Sequence, residues 1–184
     1  VNDAAWNLLL PYLRGYTTHI VKSGDSFYSI AKMHNTTVDR IRQANPDAQE
    51  DNLTIGTMLT VPFDYDLVEE SFPYTSMLTE WVIDGLQMRY PSVETGSIGL
   101  SVMGNAIPYI KIGNGPTEVA YNASFHANES ITTPVLLKFA EQLLQAYATE
   151  EPYEGVNAPN LFEEFSLYLV PLVNPDGVAL RVVG

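Results

Sequence analysis

The chain has 184 residues, 46% hydrophobic and 17% charged, which is enough apolar material to fill a core and rules out disorder as its main state. With 9 Lys and Arg against 22 Asp and Glu the net charge is -13, so nucleic-acid phosphates and anionic lipid are repelled over most of the surface. There is no cysteine, which excludes disulfides and Cys-ligated metal sites and leaves any metal to His, Asp or Glu.

At roughly 100 to 200 residues per domain the length allows one domain, or a domain and a small module. The longest apolar run, residues 165–173, is interrupted by Ser166 and is under half of the roughly 20 residues that a membrane helix needs, so neither membrane nor nucleic acid is an expected partner. Val1-Asn2-Asp3-Ala4-Ala5-Trp6 lacks an initiator Met and the basic start of a signal peptide, so Val1 is not expected to begin the encoded protein. Charge is uneven: residues 17–62 carry four basic and five acidic side chains, residues 63–184 four basic and sixteen acidic. A shift of that size predicts two units joined around Pro62-Phe63-Asp64-Tyr65-Asp66, with residues 1–15 an extension that matches no assignable pattern.

In the first unit the β-branched residues of 18–22 predict a strand that turns at Ser23-Gly24-Asp25, with Asp25 placed to cap a helix. Phe27, Ile30, Ala31 and His34 have helical spacing, and Asn35-Thr36-Thr37 breaks the pattern. Val38, Ile41, Arg42 and Asn45 continue as a second short helix that Pro46 stops. Residues 58–61 alternate as a second strand.

Three separated segments of this unit, Ile20-Val21-Lys22-Ser23-Gly24-Asp25-Ser26-Phe27-Tyr28-Ser29-Ile30-Ala31, Ile41-Arg42-Gln43-Ala44-Asn45-Pro46 and Leu53-Thr54-Ile55-Gly56-Thr57-Met58-Leu59-Thr60-Val61-Pro62, recur in the order and spacing of a LysM domain, which residues 16–62 resemble throughout. The resemblance implies binding of N-acetylglucosamine-containing glycans in a shallow groove, with Gly24, Asp25, Ser26 and Phe27 on one wall and Asn52, Leu53, Thr54 and Ile55 on the other. Gly24 and Asp25 serve the turn and the cap whatever is bound, and Phe27 is also a core candidate beside Ile30, Ile41 and Val61.

In the second unit, residues 77–90 predict a helix with Leu78, Trp81, Val82, Leu86 and Met88 mostly on one face, ended by Pro91. Residues 93–103 and 106–111 read as two strands joined at Gly104-Asn105, and 118–125 as a third. Residues 134–147 read as a helix with Val135, Phe139, Leu143 and Ala146 on one stripe, widened by Leu136, Ala140 and Leu144. Residues 165–173 read as a strand buried on both faces of an open α/β sheet.

The chemical signal is His126-Ala127-Asn128-Glu129, between the strand ending at Phe125 and the next helix. A strand-to-helix corner can turn a His and a Glu three residues apart toward one point, and His2Glu plus water is a catalytic zinc set. Taken alone the pair also fits a surface His beside a helix-start Glu. Together with Gly99-Leu100-Ser101-Val102-Met103-Gly104-Asn105-Ala106-Ile107-Pro108 and Leu169-Val170-Pro171-Leu172-Val173-Asn174-Pro175-Asp176-Gly177-Val178, it resembles the zinc carboxypeptidase family from about Trp81 onward. Within that family it is similar to the bacterial γ-D-glutamyl-diamino acid endopeptidases. The resemblance implies Zn2+ as cofactor, His126 and Glu129 as two of its ligands, and Asn174 to Gly177 as a structural turn near the site. It also places the third ligand, a His, with a general-base Glu and an Asn-Arg pair for the substrate carboxylate, after that turn, where this chain has only seven residues. Of the three histidines, His19 and His34 fall in the first unit and neither is expected to bind zinc.

The fold class expected is α/β: a small βααβ LysM module at 16–62, then a partial carboxypeptidase-like α/β/α domain with a mixed sheet at 63–184. The function implied is a peptidoglycan hydrolase, held at the wall by the module and cutting stem peptides, whose partners are peptidoglycan and the remaining C-terminal half of the peptidase domain. The location expected is the cell wall, outside the cell or in the sporulating cell. The alternatives are a non-catalytic wall-binding protein with a degenerate peptidase scaffold and a metallocarboxypeptidase that trims peptide C-termini.

Overall fold

A computed structural model describes residues 3–71 and 73–182; the terminal Val1 and Gly184 lie outside the described residues. The chain divides into two compact units, one running up to Leu67 and including Asp84–Pro91, the other formed by Val68–Ile83 and the residues from Ser92 onward.

In the first unit, helix α1 (Asp3–Arg14) precedes strand β1 (Tyr16–Ile20), helices α2 (Phe27–His34) and α3 (Val38–Ala44) and strand β2 (Met58–Pro62). β1 and β2 pair antiparallel from Tyr16↔Pro62 to Ile20↔Met58. The strand starts and ends two residues earlier than its β-branched run suggests, because Lys22 N–H is taken by the Asp25 carboxylate at 2.8 Å and opens the turn. Asp25 is thereby occupied, and the cap of α2 is Ser26: its hydroxyl accepts from Ser29 N–H at 3.1 Å while Ser29 Oγ accepts from Ser26 N–H at 2.9 Å. Asn35, in left-handed backbone (φ 56°), ends α2, and Thr37 caps α3.

The core of the unit is Val21, Phe27, Ile30, Ile41, Leu59 and Val61, with Leu53 packed against it. Asn45 ties α3 to β2, donating to Thr60 C=O at 2.7 Å and accepting Thr60 N–H at 2.9 Å. Helix α4 (Ser76–Arg89) contributes its last residues to this unit. There the buried Arg89 donates to the carbonyls of Gly15 (2.9 Å), Phe63 (3.3 Å) and Tyr65 (2.7 Å), fixing the chain on both sides of the β1–β2 ribbon. Gly85 is needed where α4 passes the Arg14 carbonyl, since a Cβ there would stand 2.1 Å from that oxygen.

The second unit is built on strands β3 (Glu94–Leu100), β4 (Ala106–Ile112), β5 (Thr117–Asn122) and β8 (Phe165–Val170), in the order β3-β4-β8-β5. β3 and β8 flank β4 antiparallel and β5 runs parallel to β8, so the sheet is mixed and β5 lies at an edge. Helix α5 (Thr132–Thr149), the short β6–β7 hairpin (Pro152–Tyr153, Val156–Asn157) and helix α6 (Ala158–Glu164) connect β5 to β8, and helix α7 (Pro175–Val182) follows. Ile110, Ile112, Leu167 and Leu169 alternate onto the buried face of the sheet. Tyr109, Lys111 and Tyr168 alternate onto the other face, with Lys111 Nζ 5.7 Å from the Tyr168 ring centroid. β8 is therefore central but buried on one face and only half-buried on the other among the described residues.

Three further expectations are corrected. β3 ends at Leu100, because Ser101 and Asn105 turn to the carboxylate of Asp176, leaving Val102 and Met103 exposed in the turn. On α4 the buried residues include Thr79, Ile83 and Arg89, while Leu78, Trp81 and Met88 are half-buried. Of the residues expected to face inward on α5, Ala140, Leu143, Leu144 and Ala146 are buried but Val135 is exposed, and the buried face also takes in Thr133, Leu137 and Glu141. Glu141 accepts Val68 N–H at 3.0 Å and pairs with Lys138 at 3.2 Å, which allows a carboxylate to sit in that face.

Candidate functional site

His126 and Glu129 lie just past the carboxyl end of β5, on a short 3-10 turn (Ala127–Glu129) that leads into α5. The turn brings them together: His126 Nδ1 is 3.0 Å from Glu129 Oε1, and Glu129 Oε2 accepts His126 N–H at 3.2 Å. Both side chains face solvent, 67% and 44% exposed. The His126 ring, followed by its backbone N–H, holds the Glu129 carboxyl below the usual carboxylate range, so the pair offers an ionised oxygen beside an imidazole nitrogen.

These are donor types of a zinc set, and their spacing is close to the roughly 3.3 Å that separates neighbouring donors about 2.0–2.1 Å from a tetrahedral ion. The pair fits two positions of such a site. Among the described residues no group of three or more His, Cys, Asp or Glu side chains could hold a metal ion, so no third donor joins them.

The corner is fixed by side chains that periodicity does not mark as functional. Ser124 is buried in left-handed backbone (φ 48°), a conformation that favours glycine and here needs support. Thr132 Oγ1 accepts Ser124 N–H at 2.8 Å and donates to the Glu129 carbonyl at 2.8 Å. Thr133 Oγ1 donates to the Pro171 carbonyl at 2.6 Å and so accepts from Ser124 Oγ at 2.7 Å, joining the corner to the end of β8.

Asn174 holds the corner from the other side. Its N–H donates to Ser124 C=O at 3.1 Å, its Nδ2 reaches Phe125 C=O at 3.4 Å, and its Oδ1 accepts Gly177 N–H at 2.9 Å. Asp176 accepts from Ser101 Oγ (2.6 Å), Met103 N–H (2.9 Å) and Asn105 Nδ2 (2.8 Å), and these donors keep its carboxyl below the usual range. Asn174 to Gly177 is thus a clamp between the β3–β4 turn and the His126 corner. The only sequence signal for it is the Asn-Pro-Asp-Gly string itself.

In the first unit the residues of the two expected walls differ in what they can offer. Gly24 has positive φ (87°) and no atom within 4 Å of where a Cβ would stand, so the turn is open on that side. The Asp25 carboxylate, 13% exposed, is engaged by His19 Nε2 at 2.7 Å and Lys22 N–H at 2.8 Å; the His19 contact and then the Lys22 bond hold its carboxyl below the usual range. Ser26 is the helix cap. Phe27 is 1% exposed and its ring belongs to the core, so only its backbone can face a groove. On the other wall, Asn52, Leu53 and Thr54 line a cavity of about 290 Å³ with Asp47, Gln49 and Thr57, while Ile55 is exposed outside it. Residues 24–27 do not line that cavity.

Comparison with known proteins matches residues 79–182 to the zinc carboxypeptidase family and residues 19–62 to the LysM domain. The chain is 40% identical over 116 residues to gamma-D-glutamyl-L-diamino acid endopeptidase 1 of Lysinibacillus sphaericus, a match that covers 63% of this chain and 29% of that protein. It is 40% identical over 119 residues to the uncharacterized protein YqgT of Bacillus subtilis (strain 168), covering 64% of this chain and 32% of that one. The crystal structure of thrombin activatable fibrinolysis inhibitor superposes with a TM-score of 0.51 at 16% identity, over 89% of this chain and 50% of that one, a likeness of fold. The chain spans about a third or less of the length of the two bacterial relatives.

Proposed function

Because the chain belongs to the zinc carboxypeptidase family and carries a LysM domain, we propose that it is the glycan-binding module (16–62) and the N-terminal part of the catalytic domain (63–184) of a peptidoglycan hydrolase. Its substrate is the stem peptide, cut at the γ-D-glutamyl–diamino acid bond. The observation that carries the reading is the convergence of His126 and Glu129 at the carboxyl end of a strand, in a chain that also holds a LysM domain. The name of the Lysinibacillus sphaericus relative supports the choice of bond.

His126 and Glu129 would hold Zn2+, which when bound supplies a Lewis acid for the scissile carbonyl and an activated water. Ser124, Thr132 and Thr133 keep the two ligands in register, and Asn174 and Asp176 hold their corner against the β3–β4 turn. The third ligand, the general-base Glu and the carboxylate-binding Asn-Arg pair belong to the remaining C-terminal half of the domain. The free edge of β5 and the apolar surface beside it, with Tyr121, Phe125, Ile131 and Val135 exposed, is where that half packs. The module holds the glycan while the peptidase cuts the attached peptide, so tethering raises the local concentration of scissile bonds. The protein works at the cell wall, outside the cell or in the sporulating cell; among the described residues no helix is long and apolar enough to cross a membrane.

The test uses the parent protein, this chain together with its downstream segment, on a defined muropeptide with products read by mass spectrometry. Cleavage between D-glutamate and the diamino acid is expected, with His126→Ala and Glu129→Ala losing zinc and hydrolysis but keeping glycan binding. Release of a C-terminal residue alone would make it a carboxypeptidase. Full zinc content in both variants would remove His126 and Glu129 from the site, and a zinc-free, inactive parent would leave a wall-binding protein.

A further inference from the structure

A chain of hydrogen bonds in the first unit, His34–His19–Asp25, takes no part in the corner at His126. His19 is 7% exposed on β1; its Nε2 is 2.7 Å from Asp25 Oδ2 and its Nδ1 is 3.2 Å from His34 Nε2. An ionised carboxylate only accepts, so His19 Nε2 carries a hydrogen; in the neutral ring Nδ1 is then an acceptor and His34 Nε2 donates to it. The two nitrogens of His19 point to different partners. The three side chains therefore form a relay from the C-terminus of α2 to the turn at 22–26.

Besides the backbone bond from Asp25 N–H to the Lys22 carbonyl at 3.1 Å, that turn has two side-chain fastenings. Ser26 is held by its reciprocal bonds with Ser29, and Asp25 by one carboxylate oxygen that takes both His19 Nε2–H and Lys22 N–H. Gly24, inside the turn that Lys22 and Asp25 close, is open where a Cβ would stand. If His19 could not donate, the mostly buried carboxylate would keep a single donor and swing toward water, releasing Lys22 N–H and leaving the turn on its one backbone bond and the Ser26 cap. We propose that His19 is a positioning residue for the glycan-binding turn: from the strand behind it, through Asp25, it sets the geometry of residues 22–26 that face the sugar, and His34 fixes the tautomer in which it does so. The inference rests on the proposed glycan binding by the module.

The test exploits the reach of two amides. In His19→Gln the side-chain amide extends to the position of Nε2 and can donate to Asp25; in His19→Asn it stops at the position of Nδ1 and meets only His34. The 184-residue chain is titrated calorimetrically with the N-acetylglucosamine tetramer, and the backbone amides of residues 22–26 are followed by NMR. His19→Asn, like His19→Leu, should weaken binding by about tenfold or more and displace those amides, and His19→Gln should restore both to near the wild-type values. Equal binding and unmoved amides in all three variants would overturn the proposal, as would Asn and Gln behaving alike. Should the wild-type chain not bind the tetramer at all, the glycan reading fails. The amide pattern then still decides whether His19 positions the turn. The Asn and Gln pair gives the answer without the Leu variant if that one does not fold.

Discussion

Replacing Thr133 by Val keeps the shape of the side chain and removes only its hydroxyl. Thr133 is fully buried, and its Oγ1 serves the Pro171 carbonyl at 2.6 Å and Ser124 Oγ at 2.7 Å. Ser124 Oγ has a second acceptor, the Glu129 carbonyl at 3.2 Å, so it can redirect its hydrogen. The carbonyl of the buried Pro171 has no second donor among the described residues. One orphaned buried acceptor costs about 1–3 kcal/mol, while the isosteric exchange opens no cavity. Taking about 2 kcal/mol, and 2–4 °C per kcal/mol for a chain of this size, the unfolding midpoint should fall by roughly 4–8 °C. Thr133→Ser is the control: it keeps the hydroxyl and loses one methyl group, worth about 0.8 kcal/mol. Urea and thermal unfolding followed by tryptophan fluorescence compare the two. If the Val variant is no less stable than the Ser variant, the hydroxyl does not hold the corner, and the account of how His126 and Glu129 are kept in register fails.

The proton affinity of His34 is lowered by burial and then by the neighbouring His19, so the unfolded chain binds this proton more tightly. The group's contribution to stability is thus complete above about pH 6.5 and is lost as pH falls through the lower folded-state value. The thermal midpoint should hold between pH 8 and 7 and decline below 6.5, and His34→Gln should flatten that decline; an unchanged decline in the variant would assign it to other groups. Gly85→Ala should destabilise even though alanine is the better helix former by about 1 kcal/mol, because the new Cβ meets the Arg14 carbonyl at 2.1 Å and Leu67 at 2.6 Å. Overpacking of that kind costs about 1–3 kcal/mol, and a stabilised variant in denaturant titration would show that α4 moves freely there.

The first unit was legible because its signals are local. The turn, the two short helices and Asn45 all act within about 45 residues, and the apolar positions point to one small core. Even so, periodicity assigned the cap to Asp25, whose carboxylate is taken by a histidine on the preceding strand. In the second unit the errors share a cause. Reading α5 by hydrophobicity alone passes over Thr133 and Glu141, two buried polar residues on its inner face, and the stripe rotates toward Val135 as a result. Arg89, at the end of α4 in the first unit, escapes for the same reason. The His-x-x-Glu pair is visible as a string because the 3-10 turn that closes it is local. The groups that hold it, Thr133 to Pro171 and Asp176 to Ser101, are joined across 38 and 75 residues and leave no trace in any short window.

The strand order has a consequence for synthesis. β5 is made before β8, yet β8 is its sheet partner and lies between it and β4. At roughly 5–20 residues per second, the nearly fifty residues between the end of β5 and the end of β8 take about 2–10 s to emerge. During that interval the β3–β4 hairpin can close on its own, but Thr117–Asn122 has nothing to pair with and exposes Val119 and Tyr121. The nascent chain therefore carries β5 unpaired for seconds, until Phe165–Val170 takes its place between the two halves of the sheet.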